Sequence, residues 1–360
     1  MDFGPDHYVP VLKVKRGEKD ALRLLDATTC ERITPLMEIV ERKPNKRNPA
    51  KTATVDEHVN TAFKKLAQSV ENFDRVFLDT REIAPDGRAA SALVFGRAAS
   101  EGIVFTPVTG LTRTVDVSPA MEHSRNGLAL RLTRAEFESG GLPVLIQTFL
   151  ATAKFEPEDI DLIVDLGAVD NMVAAGVMAL TEQFLLDVPD HERWRTFTVS
   201  ASAFPMGMGS VDRHSHALVE RAEWIAWKEG LYLNRWNVPR LPTFSDCGIQ
   251  HPKGVEGFDP VTMQVSAAVR YALPDDWLLI KGESTRQNPA SAQFPILANR
   301  LVYGNLRSYY ASAHHCKGCE LMKNSADGAP KLGSAEVWRK LGTIHHLTTV
   351  TEQLSALSWI

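Results

Sequence analysis

Seven of the eight apolar or alternating segments in this chain end in an ionisable side chain or a serine pair, and those residue types bound the chemistry available. Lys13 and Lys15 end the first segment, Glu38 the second, Asp79 with Arg81 the third, Arg131 the fifth, Asp165 the sixth, Ser200 with Ser202 the seventh and Asp246 the eighth. The carboxylates Glu38, Asp79, Asp165 and Asp246 suit two tasks. They can hold a hard divalent cation, Mg²⁺ or Mn²⁺, through oxygen ligands, with Glu38, Asp79 and Asp165 as the expected set, or divide into acid and base when unequal surroundings separate their pKa values. Lys13, Lys15, Arg81 and Arg131 suit an anion, Arg as a planar fork and Lys as a point charge. The alternative is that these four cations neutralise the four acids, since buried charges are normally paired. Ser200-Ala201-Ser202 lacks the G-x-S-x-G spacing of a nucleophile elbow and reads as a hydrogen-bonding wall.

A second group involves sulfur. His314-His315-Cys316-Lys317-Gly318-Cys319 contains the C-x-x-C spacing of zinc sites, and His345-His346 offers further ligands. Only one C-x-x-C is present, and neighbours on a helix point about 100° apart, so both histidines rarely serve one ion. An unmetallated helical pair, Cys316 and Cys319, is therefore the default reading, and a structural zinc site the alternative.

The elements that must position these residues follow from periodicity. Short apolar runs alternate with longer helical patterns, which points to parallel strands joined by crossover helices. The strands expected are Val9–Lys15, Ile33–Val40, Arg75–Thr80, Ile103–Gly110, Gly127–Thr133, Ile160–Gly167, Thr196–Ser202 and Leu241–Gly248. Helices are expected over Glu18–Asp26, Val55–Val70, Ala89–Ser100, Leu142–Phe155, Asn171–Leu186 and His216–Glu229. Eight parallel strands can close on themselves, so the expected fold is a single (β/α)₈ TIM-like barrel over residues 1–360, with an open doubly wound sheet as the alternative. After the eighth strand, Ser266–Leu273 and Trp277–Gly282 flank Pro274-Asp275-Asp276 and read as a β-hairpin, an insertion over residues 251–294 that covers the barrel mouth. Residues 295–360 form a C-terminal helical part with helices over Pro295–Ala313 and Ser334–Leu354.

Composition narrows the function. The 360 residues are 44% hydrophobic and 23% charged, an ordinary globular balance, and the formal net charge of -4 argues against a broad nucleic-acid surface. Four cysteines do not make a disulfide scaffold, so a reducing, cytoplasmic setting is expected, with no membrane span.

Tyr8–Leu22 (YVPVLKVKRGEKDAL), ITPLMEIV, FLDTRE, FSDCG, the hairpin AAVRYALPDDWLLIKG and Gly342–Thr348 (GTIHHLT) together resemble the beta-protein family, named after a protein of T-even bacteriophages and also widespread in bacterial genomes. The resemblance spans nearly the whole chain. It implies an accessory role in phage–host conflict, with a protein partner in a multi-component system, and no catalytic assignment. It also adds Arg270, Lys281, His345 and His346 as residues that cover the mouth.

Two readings follow. In one, the barrel is a metal-dependent phosphoesterase or nuclease-like hydrolase acting on a nucleotide or nucleic-acid end. Glu38, Asp79, Asp165, Asp246, His345 or His346 do its acid–base or metal work, while Lys13, Lys15, Arg81, Arg131, Ser200, Ser202, Arg270 and Lys281 bind substrate. In the other, the same mouth holds an anionic ligand or a partner without chemistry.

Overall fold

The computed structural model describes residues 3–45, 48, 51–254 and 265–357. In chain order the strands up to residue 245 are β1 (Val11–Lys13), β2 (Leu36–Glu38), β3 (Val76–Asp79), β4 (Phe105–Thr109), β5 (Leu128–Thr133), β6 (Ile160–Ala168), β7 (Thr196–Ser202), β8 (His216–Glu220) and β9 (Thr243–Ser245). All but β8 form one parallel sheet in the order β1-β2-β3-β4-β5-β6-β7-β9. The sheet closes. Tyr8 bridges both Ile33 and Phe244, and the Val9 and Val11 N–H groups donate to Phe244 O at 3.1 Å and Asp246 O at 2.8 Å. The expected eight-stranded barrel is therefore present, and the open sheet is not.

Side-chain alternation divides each strand into a face inside the ring and a face under the helices. Val9, Val11, Leu36, Phe77, Val108, Ala129, Ile163 and Cys247 pack together as the barrel interior. Tyr8, Leu12, Met37, Leu78, Leu130, Leu162, Val199 and Phe244 belong to the larger outer core. The interior is layered by charge. At the N-terminal end Asp161 pairs with Arg75 at 2.7 Å and Arg195 at 2.5 Å, the apolar layer lies above, and a second ionic layer closes the C-terminal end.

Helices cover the outside. Arg88–Ser100, Leu142–Ala153 and Ala174–Asp187 lie where periodicity puts them. The single helix expected over Val55–Val70 is divided into Val55–Phe63 and Leu66–Val70, because Lys65 takes a left-handed φ of 65°. Thr54 and Glu57 form a capping box at its start, satisfying two N–H groups that a helix leaves open.

The helix expected over Pro295–Ala313 runs instead over Ala290–Val302, and a second expectation also fails. The helix proposed over His216–Glu229 begins instead as β8, which pairs antiparallel with β11 (Asp276–Ser284), itself paired with β10 (Ser266–Ala272). The apolar spacing over His216–Glu220 fits a half-covered edge strand as well as a helix, and the free edge of the β10–β11 hairpin decides between them. Helical turns occupy only Ala222–Tyr232. The hairpin itself is as expected, while residues 255–264 of the expected insertion lie outside the described residues. The three-stranded sheet packs against the loop after β7, where Phe204 meets Trp277, and against the C-terminal helix Ala335–Ser355. Between them run helices Ala290–Val302 and Lys317–Ala326. Among the described residues no helix is long and apolar enough to cross a membrane.

Gly127, entering β5, has φ 88° and ψ -176°, a region that side chains avoid, and a Cβ there would collide with the Arg195 guanidinium of the lower ionic layer. Gly127→Ala should cost about 1–3 kcal/mol from the backbone alone, plus the cost of displacing Arg195 from Asp161. A urea midpoint unchanged from the parent protein would contradict this account of the barrel floor.

Candidate functional site at the barrel mouth

The C-terminal ends of parallel strands place their last inward side chains around one opening. Register aligns Lys13 with Glu38 and Glu38 with Asp79, so β1, β2 and β3 deliver three charges side by side. Arg131 reaches them from β5. Its Nη1 donates to Glu38 Oε1 at 2.6 Å and Asp79 Oδ2 at 2.7 Å, and its Nε donates to Asp165 Oδ2 of β6 at 3.0 Å. The side chain is 2% exposed, so this guanidinium has exchanged water for three carboxylates.

Further cations complete the layer. Lys13 Nζ sits 2.5 Å from Glu38 Oε2, and Arg81 lies 3.4 Å from Asp165 and 3.7 Å from Glu38. Arg113 donates to Asp79 Oδ1 at 2.7 Å and pairs with Asp116 at 2.9 Å. Asp116 also accepts from Thr109 and Thr80. Four buried or nearly buried acids thus face four cations. Burial alone would raise the Glu38 pKa, but the charges of Arg131, Lys13 and Arg81 outweigh it and hold the carboxyl at about 2. Asp79 is likewise held below the ordinary range against its burial, by Arg113, Arg131 and Arg81.

This arrangement limits the chemistry. A general base working near neutral pH needs a pKa near neutrality, and Glu38 and Asp79 are far below it. The triad expected to hold Mg²⁺ or Mn²⁺, Glu38, Asp79 and Asp165, already surrounds a cation, the Arg131 guanidinium. A hard metal would have to displace it.

Ser200 and Ser202 stand on the opposite wall with Thr198 and Ser245. All four hydroxyls are buried without a protein partner among the described residues. Thr198, Ser200 and Ser202 share one face of β7, and Ser200 is in register with Ser245 of β9. A row of buried hydroxyls without protein partners calls for ordered water or a polar ligand.

The remaining expected residues go elsewhere. Lys15 lies beyond the end of β1, exposed, at the rim rather than in the ring. Asp246 shares the outward parity of Phe244. It accepts from the Tyr8 hydroxyl at 2.5 Å, from Gly248 N at 2.8 Å and from His346 Nε2 at 2.9 Å, in the seam between barrel wall and C-terminal helix. Burial lowers the His346 pKa, so a neutral ring holds this contact. Nearby, burial and the Asp246 charge push Glu223 up to about 8. His345 points the other way from His346, onto Tyr271 and the two cysteines, with ring centroids 3.8 Å apart on Tyr271. Lys281 donates to Met208 O at 2.8 Å and Val211 O at 2.6 Å, fastening the loop after β7. Arg270 stacks its guanidinium 5.6 Å from the Phe204 ring centre. The mouth therefore contains Lys13, Glu38, Asp79, Arg81, Arg131, Asp165, Ser200 and Ser202, but not Asp246, His345, His346 or Lys281.

Sequence reading missed Arg113 and Asp116. Both follow β4, whose end offered only Thr109, and nothing in local spacing shows that this loop folds back over the ring.

Arg131→Met would strand three carboxylates, and breaking a buried pair costs about 3–5 kcal/mol. Arg193→Ala, removing solvent-exposed pairs with Glu156 and Glu158, should change stability little. Equal losses in denaturant titrations would mean the layer contributes no more than a surface pair. The pH dependence has a defined sign. Above the reference value of 4.5 Glu38 is ionised in both folded and unfolded chains and its contribution is complete; as pH falls toward 2 only the unfolded chain takes up the proton, and the contribution is lost. Parent protein should therefore lose more stability between pH 5 and pH 3 than Glu38→Gln, by urea midpoints at each pH.

Comparison with known proteins adds the family. No curated protein matches the chain. Among solved structures, triosephosphate isomerase from Bartonella henselae aligns at 9% identity with a TM-score of 0.26, over 66% of this chain and 90% of that one, and no argument rests on it. The family model described as "Beta protein" matches residues 8–352, and with nearly its full length so covered, the chain belongs to the beta-protein family.

Proposed function

We propose that the protein is a non-catalytic binding subunit that captures a phosphate-bearing anion at the rim of the barrel. The observation that carries this reading is a contrast in charge. Inside the ring every buried cation is matched to a carboxylate, whereas a cleft of about 560 Å³ beside the ends of β1 and β2 is lined by Lys15, Arg16, Lys19, Lys64 and Lys65 with Asp20 as its one carboxylate. Arg16 is engaged by Glu336, and Lys19 donates to Ala62 O at 2.7 Å and Lys64 O at 2.8 Å. Lys15, Lys64 and Lys65 have no ion pair among the described residues. Three ammonium-bearing side chains lining one concave, partly apolar surface suit a multiply charged anion, which they would bind as point charges.

The Lys64-Lys65 corner that divides the helix pair supplies two of these groups, so the break in the expected helix has a use. The mouth then acts as a rigid floor, with the hydroxyl row of β7 and β9 as a second polar surface. A hydrolase reading needs a base or metal set that Arg131 leaves free, and the geometry favours it less. Membership of a family linked to phages by resemblance is compatible with ligand sensing in phage–host conflict.

Calorimetric titration with inorganic pyrophosphate, nucleoside triphosphates and a short 5′-phosphorylated oligonucleotide tests the reading. Saturable binding should weaken at least about tenfold in the Lys15→Ala/Lys65→Ala variant, the size of a loss of about 1.4 kcal/mol, and should fall with added salt. Although the Lys15 residue is exposed at the rim, partial desolvation of its amine against the cleft lowers its pKa, so affinity should decline on the alkaline side before the ordinary lysine range of 10.5 is reached. Turnover of any of these compounds that disappears in Asp79→Asn would overturn the non-catalytic assignment. Binding indifferent to the lysines would overturn the cleft.

A further inference from the structure

Helix Lys317–Ala326 opens with Cys316 at its N-cap, and the Cys319 N–H donates back to Cys316 Sγ at 3.3 Å. That turn presents both sulfurs on one side, toward the C-terminal helix. There, His345 Nδ1 lies 3.3 Å from Cys319 Sγ and 3.9 Å from Cys316 Sγ. A tetrahedral zinc with bonds of about 2.3 Å to sulfur and about 2.0 Å to nitrogen sets those atoms roughly 3.5 Å apart, between the two observed distances. A ligand atom of His315 joins Cys316 and His345, though not Cys319, in a group whose members all lie within 4.8 Å of one another.

We propose that Cys316, Cys319, His345 and His315 form a structural zinc site. The surrounding hydrogen bonds are those a metal-ligating set requires. His345 Nε2 contacts Ala272 O at 2.8 Å, and since a carbonyl can only accept, the ring proton is on Nε2 and the Nδ1 lone pair faces the sulfurs. The Tyr271 hydroxyl accepts from Ala311 N at 3.0 Å, which leaves its own hydrogen for Cys319 Sγ at 3.4 Å. One hydrogen is thus aimed at each sulfur, from Tyr271 and from the Cys319 backbone, a pattern that supports thiolates. His315 keeps a polar partner on either nitrogen, Glu352 at 3.3 Å or Thr349 at 3.2 Å, when the other turns to the metal.

Two sulfur and two nitrogen ligands match the borderline softness of zinc better than that of Mg²⁺ or Mn²⁺. Cys316, Cys319 and His345 are buried, and four protein ligands leave no open position, so the role is to hold elements together. The elements joined are the turn before helix Lys317–Ala326 and helix Ala335–Ser355, with β10 supporting both through Tyr271 and Ala272. His346, next along that helix, meets Asp246 on the barrel wall, so the metal would help fix the C-terminal helix to the barrel. The four cysteines of the chain are free, and an unmetallated S–H···Nδ1 contact is the competing account of the same distances.

The full chain, expressed in zinc-supplemented medium and dialysed, should carry one zinc per molecule by mass spectrometry of the metal, falling at least tenfold in Cys319→Ser and in His345→Ala. Cobalt(II) added to chelator-treated parent protein should give the intense visible and thiolate charge-transfer bands of a tetrahedral sulfur–nitrogen site, a readout that does not depend on the variants folding. Chelator should also lower the melting temperature of the parent protein and leave Cys316→Ser/Cys319→Ser unchanged. Folded parent protein that takes up no stoichiometric zinc, cobalt bound without thiolate bands, or a Cys316–Cys319 disulfide in freshly purified protein would each overturn the proposal.

Discussion

The open end of the barrel depends on one guanidinium. Arg131 extends from β5 to touch acids on β2, β3 and β6, so strands far apart in sequence share a single buried charge. Desolvating that many groups is costly, and it is offset because each oxygen of Glu38, Asp79 and Asp165 meets an N–H donor. Lys13, Arg81 and Arg113 complete the balance from the rim. The result is a rigid ionic layer rather than a reactive one, because ion pairing that stabilises the carboxylates also removes their basicity.

On the proposed reading, that constraint places function outside the ring. Where charges inside the ring cancel, the features left with unmet capacity are the hydroxyl row on β7 and β9 and the lysines beyond β1. Both lie at the C-terminal side, where loops rather than core packing set the geometry, which is where (β/α)₈ barrels place ligand contacts. The lower ionic layer around Asp161 mirrors the upper one, with no corresponding row of unpaired hydroxyls, and serves the barrel floor.

The C-terminal helix is the second organising element. Its adjacent histidines point to opposite sides, as a helix of 3.6 residues per turn demands. His346 is tied to Asp246 on the barrel wall, and His345 to the cysteine pair and β10. Two adjacent residues that point apart thereby join three layers: barrel, flanking sheet and helix. The Asp246 position on the outer wall follows from the same alternation that puts Cys247 inside, so its removal from the mouth is a matter of strand parity.

Strand number and parallel class were legible in the residues themselves, since period-two alternation and β-branched runs are local properties. So was the C-x-x-C spacing. What only the tertiary structure decided was pairing: which charges meet, whether an acid is free or held, which edge recruits His216–Glu220 as a strand, and which histidine reaches the cysteines. Those outcomes depend on groups tens to hundreds of residues apart. Arg131 and Glu38 are separated by 93 positions and Tyr8 and Asp246 by 238, and no local pattern records the closure that brings them together.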